Sequence, residues 1–413
     1  MPFQISGTSS SEPCAVKLTS SKSISNRFLL VRALCKEPFS IHNLATAEDT
    51  VLLEDLLMSE AREFDAKDAG TVFRFLLAYL SIRPGTFVLK GTKRMNERPV
   101  GPLMNALNSL GANITCLGQQ GFPPLKIEGA TFRGGHVKIE AGTSSQFISA
   151  LLMIAPVLEE GLKIQLEGEV VSAPYIKMTV EVMSLFGVDA VWNGNEIHVP
   201  HSEYRATAVS VEADWSSAAF WYLISALSPN RKIFLEGLQQ SSIQGDSKIA
   251  EWMSLLGVKT VFDEAGATLV SNGYSSWSQT APLQFDFNDC PDLFPPMLVS
   301  CAALNAEAKF TSLQNLKHKE SDRLTVLLHE LGKCGMRFTL DTDQRELLIP
   351  NQKLSPPGRV FQSHGDHRVA MALAPLAQIF GSITMDTIAV VQKSYPEFWN
   401  QLVGAGFAIR KIA

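Results

Sequence analysis

Apolar positions fall at helical spacing in runs that stop at a glycine, and each stop is followed by apolar positions at strand spacing. Met183-Ser184-Leu185-Phe186-Gly187-Val188 and Met253-Ser254-Leu255-Leu256-Gly257-Val258 are nearly the same phrase. Related endings stand at Gly111, Gly335 and Gly406, so the stops are 76, 70, 78 and 71 residues apart. Glycine takes the left-handed conformation that closes a helix at little cost. After each of the first four stops the pattern predicts a strand, a turn and a second strand. Residues 188–199 turn at Asn193-Gly194-Asn195, and residues 258–270 at Glu264-Ala265-Gly266.

A second series of helices starts on small or polar residues, near Ser23, Gly70, Ser145, Ser217, Asp292 and Asp366. The first two starts are 47 residues apart and the rest 72 to 75. A fixed period of this size marks a repeated supersecondary unit. The chain therefore reads as six α/β repeats, the first of them shortened. Two globular halves of three repeats are expected, since one core rarely grows beyond ~250–300 residues.

Composition narrows the class. Of the 413 residues, 46% are hydrophobic and 19% charged, as in a globular protein with large cores, and the net charge of −5 excludes a global basic field for nucleic acid. An anionic ligand must be held by local clusters. Cys14, Cys35, Cys116, Cys290, Cys301 and Cys334 form no CxxC pair and read as reduced, buried residues. The start, Met1 to Gly7, lacks the pattern of a secretion signal, and the longest mainly apolar run, 147–158, is too short for a bilayer. A cytoplasmic monomer is expected.

The helix starts carry the polar chemistry. Lys22-Ser23-Ile24-Ser25-Asn26-Arg27 opens the first, Asp68-Ala69-Gly70-Thr71 the second and Thr143-Ser144-Ser145-Gln146 the third. Cys290-Pro291-Asp292 opens the fifth and Asp366-His367-Arg368 the sixth. Asn315 to Arg323 holds three cationic and two acidic side chains ahead of an apolar helical run expected to begin near Ser321. Helix starts offer free N–H groups and a favourable dipole end to anions. Symmetric halves should bring these ends together with Lys22, Arg27, Arg98, Lys319, Arg323, Arg368 and Lys393. Other chemistries fail. The His364/His367 and His198/His201 pairs lack supporting ligands for a metal. No GxGxxG, GxxxxGK[ST] or GxSxG is present.

In these motifs the chain resembles the 5-enolpyruvylshikimate-3-phosphate synthases. The resemblance spans essentially the whole sequence. Beyond the segments quoted, it rests on Arg74, Glu97-Arg98-Pro99 with Gly101, Ser172-x-Pro174-Tyr175, Gln244-Gly245-Asp246, Lys319-Glu320-x-Asp322-Arg323, Asp366-His367-Arg368-x-Ala370-Met371 and Lys393-x-x-Pro396.

The resemblance implies two inside-out α/β domains, 21–213 and 1–20 with 214–413, with the active site in the cleft between them. Lys22, Ser23, Arg27, Ser144, Ser145, Gln146, Ser172, Tyr175, Asp292, Asn315 and Lys319 would hold shikimate 3-phosphate. Lys22, Gly70, Arg98, Gln146, Arg323, Arg368 and Lys393 would hold phosphoenolpyruvate, with Asp68 beside Gly70. Asp292, Glu320 and Lys22 would carry the proton transfers, with no metal or organic cofactor.

Three departures stand out: the shortened first repeat, Asp68 where the family usually has Asn, and Phe75 where it commonly has Pro. The sister family acting on UDP-N-acetylglucosamine usually has Asn after the N-terminal Lys and a Cys in the loop around Arg98. Here Ser23 follows Lys22, and residues 91–101 hold no Cys. A catalytically weak, ligand-binding relative is the other alternative, and the retained Asp292, Glu320 and Lys22 argue against it.

Overall fold

The repeats become six small sheets in the computed structural model, which describes residues 2–275 and 281–412. Four sheets share one plan: a parallel pair at one edge, followed by two antiparallel neighbours. In the first of these, Glu63–Asp65 runs parallel to Gly85–Lys90. That strand pairs antiparallel with Leu125–Gly129, which pairs with Asn113–Cys116. The hairpin of the next closes with Asn193 opposite Glu196, where the turn was expected. The five helix-stopping glycines, Gly111, Gly187, Gly257, Gly335 and Gly406, all have φ between +77° and +108°.

The shortened first repeat keeps only a two-stranded parallel pair, Ile41–His42 with Val209–Ser210. The sixth repeat builds a three-stranded sheet in which Phe3–Ser6 lies between Ser382–Met385 and Ala408–Lys411.

Helices of the second series are buried within their own halves of the chain. Every residue of His367–Leu373 is buried, as are all but one in each of Trp215–Ala226, Phe294–Ala303 and Ser145–Ile154. A helix apolar on all sides must be enclosed. The strands enclose it: their burial alternates with period two, as in Leu162–Glu167, so one face covers the helices and the other meets water.

By internal contacts the chain divides into two units. One is Lys22–Val211, and the other is Met1–Ser21 with Glu212–Ala413. Each holds three of the six sheets. Among the described residues, no helix is long and apolar enough to cross a membrane.

Some helix starts differ from expectation because a nearby acid caps better. The helix expected near Ser217 begins at Trp215, where Asp214 accepts from the Ser216 N–H at 3.0 Å. The one expected near Ser321 begins at Arg323, capped by Asp322. Asp292 lies in the short turn Pro291–Leu293, ahead of the helix Phe294–Ala303.

Candidate active site

In the unit Lys22–Val211, the starts of three buried helices carry the expected polar residues. Lys22 opens Lys22–Leu34 and pairs with Asp49 at 2.8 Å. Asp49 is mostly buried, and sequence reasoning missed it because nothing local marks the second helix of the shortened repeat, Glu48–Met58, as facing Lys22. Arg27 is 2% exposed and clamped from three sides. It donates to Thr179 Oγ1 at 2.8 Å, Ser23 O at 2.8 Å, Ser149 Oγ at 3.2 Å and Tyr175 O at 3.0 Å. Burial lowers its pKa to about 10, so it remains a cation. Its guanidinium lies 5.8 Å from the Phe75 ring centroid, which gives that departure a packing role.

Gly70 opens Gly70–Ile82 between two arginines. A Cβ built there would lie 2.5 Å from Arg74 Nη1 and 2.7 Å from both terminal nitrogens of Arg98. Gln146 donates to Thr71 Oγ1 at 2.9 Å and so ties this helix to Ser145–Ile154, which Ser144 caps. Ser172 stands at the N-cap position of Ala173–Leu185 with no side-chain cap bond and φ of +55°, a left-handed conformation uncommon for serine, and Tyr175 lies in the first turn beyond.

Asp68 does not cap its helix. The N-cap is Ala69, with no side-chain cap bond, and the exposed Asp68 carboxylate accepts from the Thr92 hydroxyl instead. Lys67 pairs with Asp65.

In the other unit, Arg323 organises a charge cluster. It is 1% exposed and meets three carboxylates: Asp292 at 2.7 Å, Glu320 at 2.7 Å and Asp366 at 2.9 Å. Asp366 also accepts from Ser321 Oγ and from the Arg368 N–H, so one carboxylate fixes the starts of both Arg323–Gly332 and His367–Leu373. Arg368 and Lys319 both turn to Asp292, at 3.0 and 3.2 Å. Asn315 lies in the short helix Gln314–His318, and Lys393 ends Ala389–Lys393.

The electrostatics follow from these contacts. Burial raises the pKa of Asp292, but Arg368, Lys319 and Arg323 overcome it and hold the carboxyl well below the usual range. Burial likewise opposes the charge on Asp366, and Arg323 again prevails. Asp246 behaves the other way. Burial, then the neighbouring Asp292, push its pKa up to about 6. The motif Gln244-Gly245-Asp246 carries this residue without assigning it a role.

His364 bonds the buried Glu330 at 2.8 Å. Among the described residues, no three His, Cys, Asp or Glu side chains are grouped to hold a metal ion.

The sequence comparisons decide the family. The family model for EPSP synthase (3-phosphoshikimate 1-carboxyvinyltransferase) matches residues 54–402. A 3-phosphoshikimate 1-carboxyvinyltransferase of Bacteroides fragilis strain YCH46 is 43% identical over 99% of this chain and 97% of its own length. The chain belongs to the EPSP synthase family.

More distant EPSP synthases align over nearly the same span. The protein of that name from Methanospirillum hungatei is 30% identical across 92% of this chain and 93% of its own. A solved EPSP synthase of Acinetobacter baumannii matches the fold with a TM-score of 0.76, covering 99% of this chain and all of that one at 21% identity. EPSP synthases transfer the enolpyruvyl group of phosphoenolpyruvate to shikimate 3-phosphate in aromatic biosynthesis.

Proposed function

We propose that the two residue sets serve this reaction, with the roles that the motifs assign. The chain is a 3-phosphoshikimate 1-carboxyvinyltransferase. The 5-hydroxyl of shikimate 3-phosphate attacks C2 of phosphoenolpyruvate and gives its proton to Asp292. C3 gains a proton from Lys22 or Glu320. In the second step phosphate leaves C2 and C3 loses a proton, which restores the C2–C3 double bond and leaves the product as an enol ether. Lys22, Ser23, Arg27, Ser144, Ser145, Gln146, Ser172, Tyr175, Asp292, Asn315 and Lys319 hold shikimate 3-phosphate. Lys22, Gly70, Arg98, Gln146, Arg323, Arg368 and Lys393 hold phosphoenolpyruvate. Fixed cations stabilise charge on two phosphates and two carboxylates without reorganising during the reaction.

The single observation that supports this best is the Arg323–Arg368 pair held in place by Asp366, with both guanidinium groups reaching Asp292. Two arginines fixed beside a carboxylate suit a reaction that binds anions and moves a proton. The test is phosphate release with phosphoenolpyruvate and either shikimate 3-phosphate or UDP-N-acetylglucosamine as acceptor. Release with the second alone would reject the reading; release with neither would point to the ligand-binding relative. All six cysteines are free thiols, in keeping with a reducing cytoplasm, and the reading takes the enzyme as a monomer.

Two variants probe the phosphoenolpyruvate side. In Gly70→Ala the atoms nearest the new methyl are the flexible ends of Arg74 and Arg98, so the fold should survive and the guanidinium groups move. The Michaelis constant for phosphoenolpyruvate should rise about tenfold, the effect of roughly 1.4 kcal/mol, with that for shikimate 3-phosphate nearly constant. An equal rise in both would mean a general distortion.

Asp68→Asn keeps an acceptor for Thr92 and removes a negative charge beside the Gly70 helix start. Like charges near 4 Å in water repel by about 1 kcal/mol, and this carboxylate is exposed. A few-fold fall in the phosphoenolpyruvate Michaelis constant is expected; no change or a rise would exclude repulsion.

A further inference from the structure

We propose that Asp292 is a stand-in anion: it occupies the cations that phosphoenolpyruvate takes, and phosphoenolpyruvate unmasks it as the catalytic base by displacing it. The inference rests on the assignment of Arg323 and Arg368 to phosphoenolpyruvate above.

Three observations lead to it. First, both oxygens of Asp292 are engaged by cations assigned to substrates. Oδ1 meets Arg323 at 2.7 Å and Lys319 at 3.2 Å, and Oδ2 meets Arg368 at 3.0 Å. A substrate carboxylate or phosphate makes the same kind of charge-assisted bond.

Second, Arg323 does not depend on Asp292 for its position, and the Arg368 backbone does not either. Arg323 is anchored through Nε by Asp366 and through Nη2 by Glu320 at 2.7 Å, which leaves the Nη1 edge for exchange. The Arg368 backbone is fixed by Asp366 at 2.9 Å. One anion can therefore replace another without rebuilding the site.

Third, Asp292 is the exchangeable member. It stands in a three-residue turn with its side chain 16% exposed, against 0% for Asp366, while Glu320, 15% exposed, pairs with Arg323 from only three residues away in the chain.

The exchange resolves a conflict in the mechanism. Clasped by three cations, Asp292 is a poor proton acceptor. Once released, it keeps Asp246 as a neighbour from the turn Gly245–Lys248, and two nearby carboxylates favour protonation of one. Glu320, on the Arg323 side, acts in the same direction. The base is then strong only when the second substrate is bound, so the acceptor hydroxyl is not deprotonated early.

The test is calorimetric titration of phosphoenolpyruvate alone, so that no turnover occurs, into the parent, Asp292→Asn, Asp292→Ala and Asp292→Glu. Circular dichroism would confirm folding. Removing the competing charge should tighten binding by about tenfold or more in the Asn and Ala variants, while the Glu variant stays within a few-fold of the parent. Equal or weaker binding in the Asn and Ala variants overturns the proposal.

If those variants do not fold, the parent still answers through carbon-13 aspartate resonances. One carboxyl titrating below the ordinary range should move upward when phosphoenolpyruvate is added, and no movement overturns the proposal. Turnover is a separate readout. A normal rate in Asp292→Asn would reject the base assignment, whatever the titration shows.

Discussion

Asp292→Asn should lower the turnover number by about 10²–10⁴-fold, the usual contribution of a positioned proton acceptor, while the protein stays folded. Asparagine has nearly the shape of aspartate and its carbonyl still accepts from Arg323, so the turn Pro291–Leu293 and the ion pairs of Arg323 with Glu320 and Asp366 persist. Shikimate 3-phosphate keeps its other proposed ligands, so its affinity should change little. Steady-state kinetics with both substrates, alongside a melting curve, separates the cases. A turnover number within a few-fold of the parent would remove Asp292 from proton transfer. A collapse of the melting transition would make the rate uninformative.

Arg323→Met should cost the most stability of any substitution near the site. The methionine fills much of the volume but leaves Asp366, 0% exposed, and Glu320 without their shared cation. Removing one partner of a buried ion pair typically costs about 3–5 kcal/mol, or roughly 6–20 °C in Tm for a unit of this size. The pH dependence has a definite sign. In the parent, Asp366 and Asp292 have depressed pKa values. The stability they contribute is present above the ordinary carboxylate range and lost as pH falls through the depressed values.

In Arg323→Met, burial and Glu320 are opposed at Asp366 only by the weaker effect of His367, so its pKa should rise above the ordinary value. The variant should then gain stability as pH falls from about 6 towards 4, where the parent does not. Calorimetric melting at the two ends of that range decides it: a gap between parent and variant that stays constant would mean lost packing, not uncompensated charge.

The repeats were legible because glycine stops and apolar periodicity are local properties. Gly187 and Gly257 close their helices with the φ that the pattern required. The small sheets followed from the same local signals, though the short strands Thr339–Leu340 and Ile41–His42 carry too few residues to show alternation. Among the site residues, the helix starts could be read from the chain, but their partners could not. Asp49 reaches Lys22 across 27 residues, and Asp366 reaches Arg323 across 43. No spacing rule links such positions. The partner of Asp68 was hidden for the same reason: its carboxylate found Thr92, which is 24 residues away.

The order of the units along the chain has a consequence for synthesis. Lys22–Val211 is continuous, whereas the other unit is interrupted by it. Cys14–Lys17 finds its parallel partner only at Ile233–Glu236, and Phe3–Ser6 waits for Ser382–Met385 and Ala408–Lys411. At a ribosomal rate of roughly 5–20 residues per second, the first wait lasts on the order of 10–45 s and the second longer still. During that time two strands with unmet backbone groups stand ahead of a continuous unit whose own contacts are already complete. Such edges recruit other chains, so holding factors that cover the first twenty residues should raise the yield of folded enzyme more than those acting on Lys22–Val211.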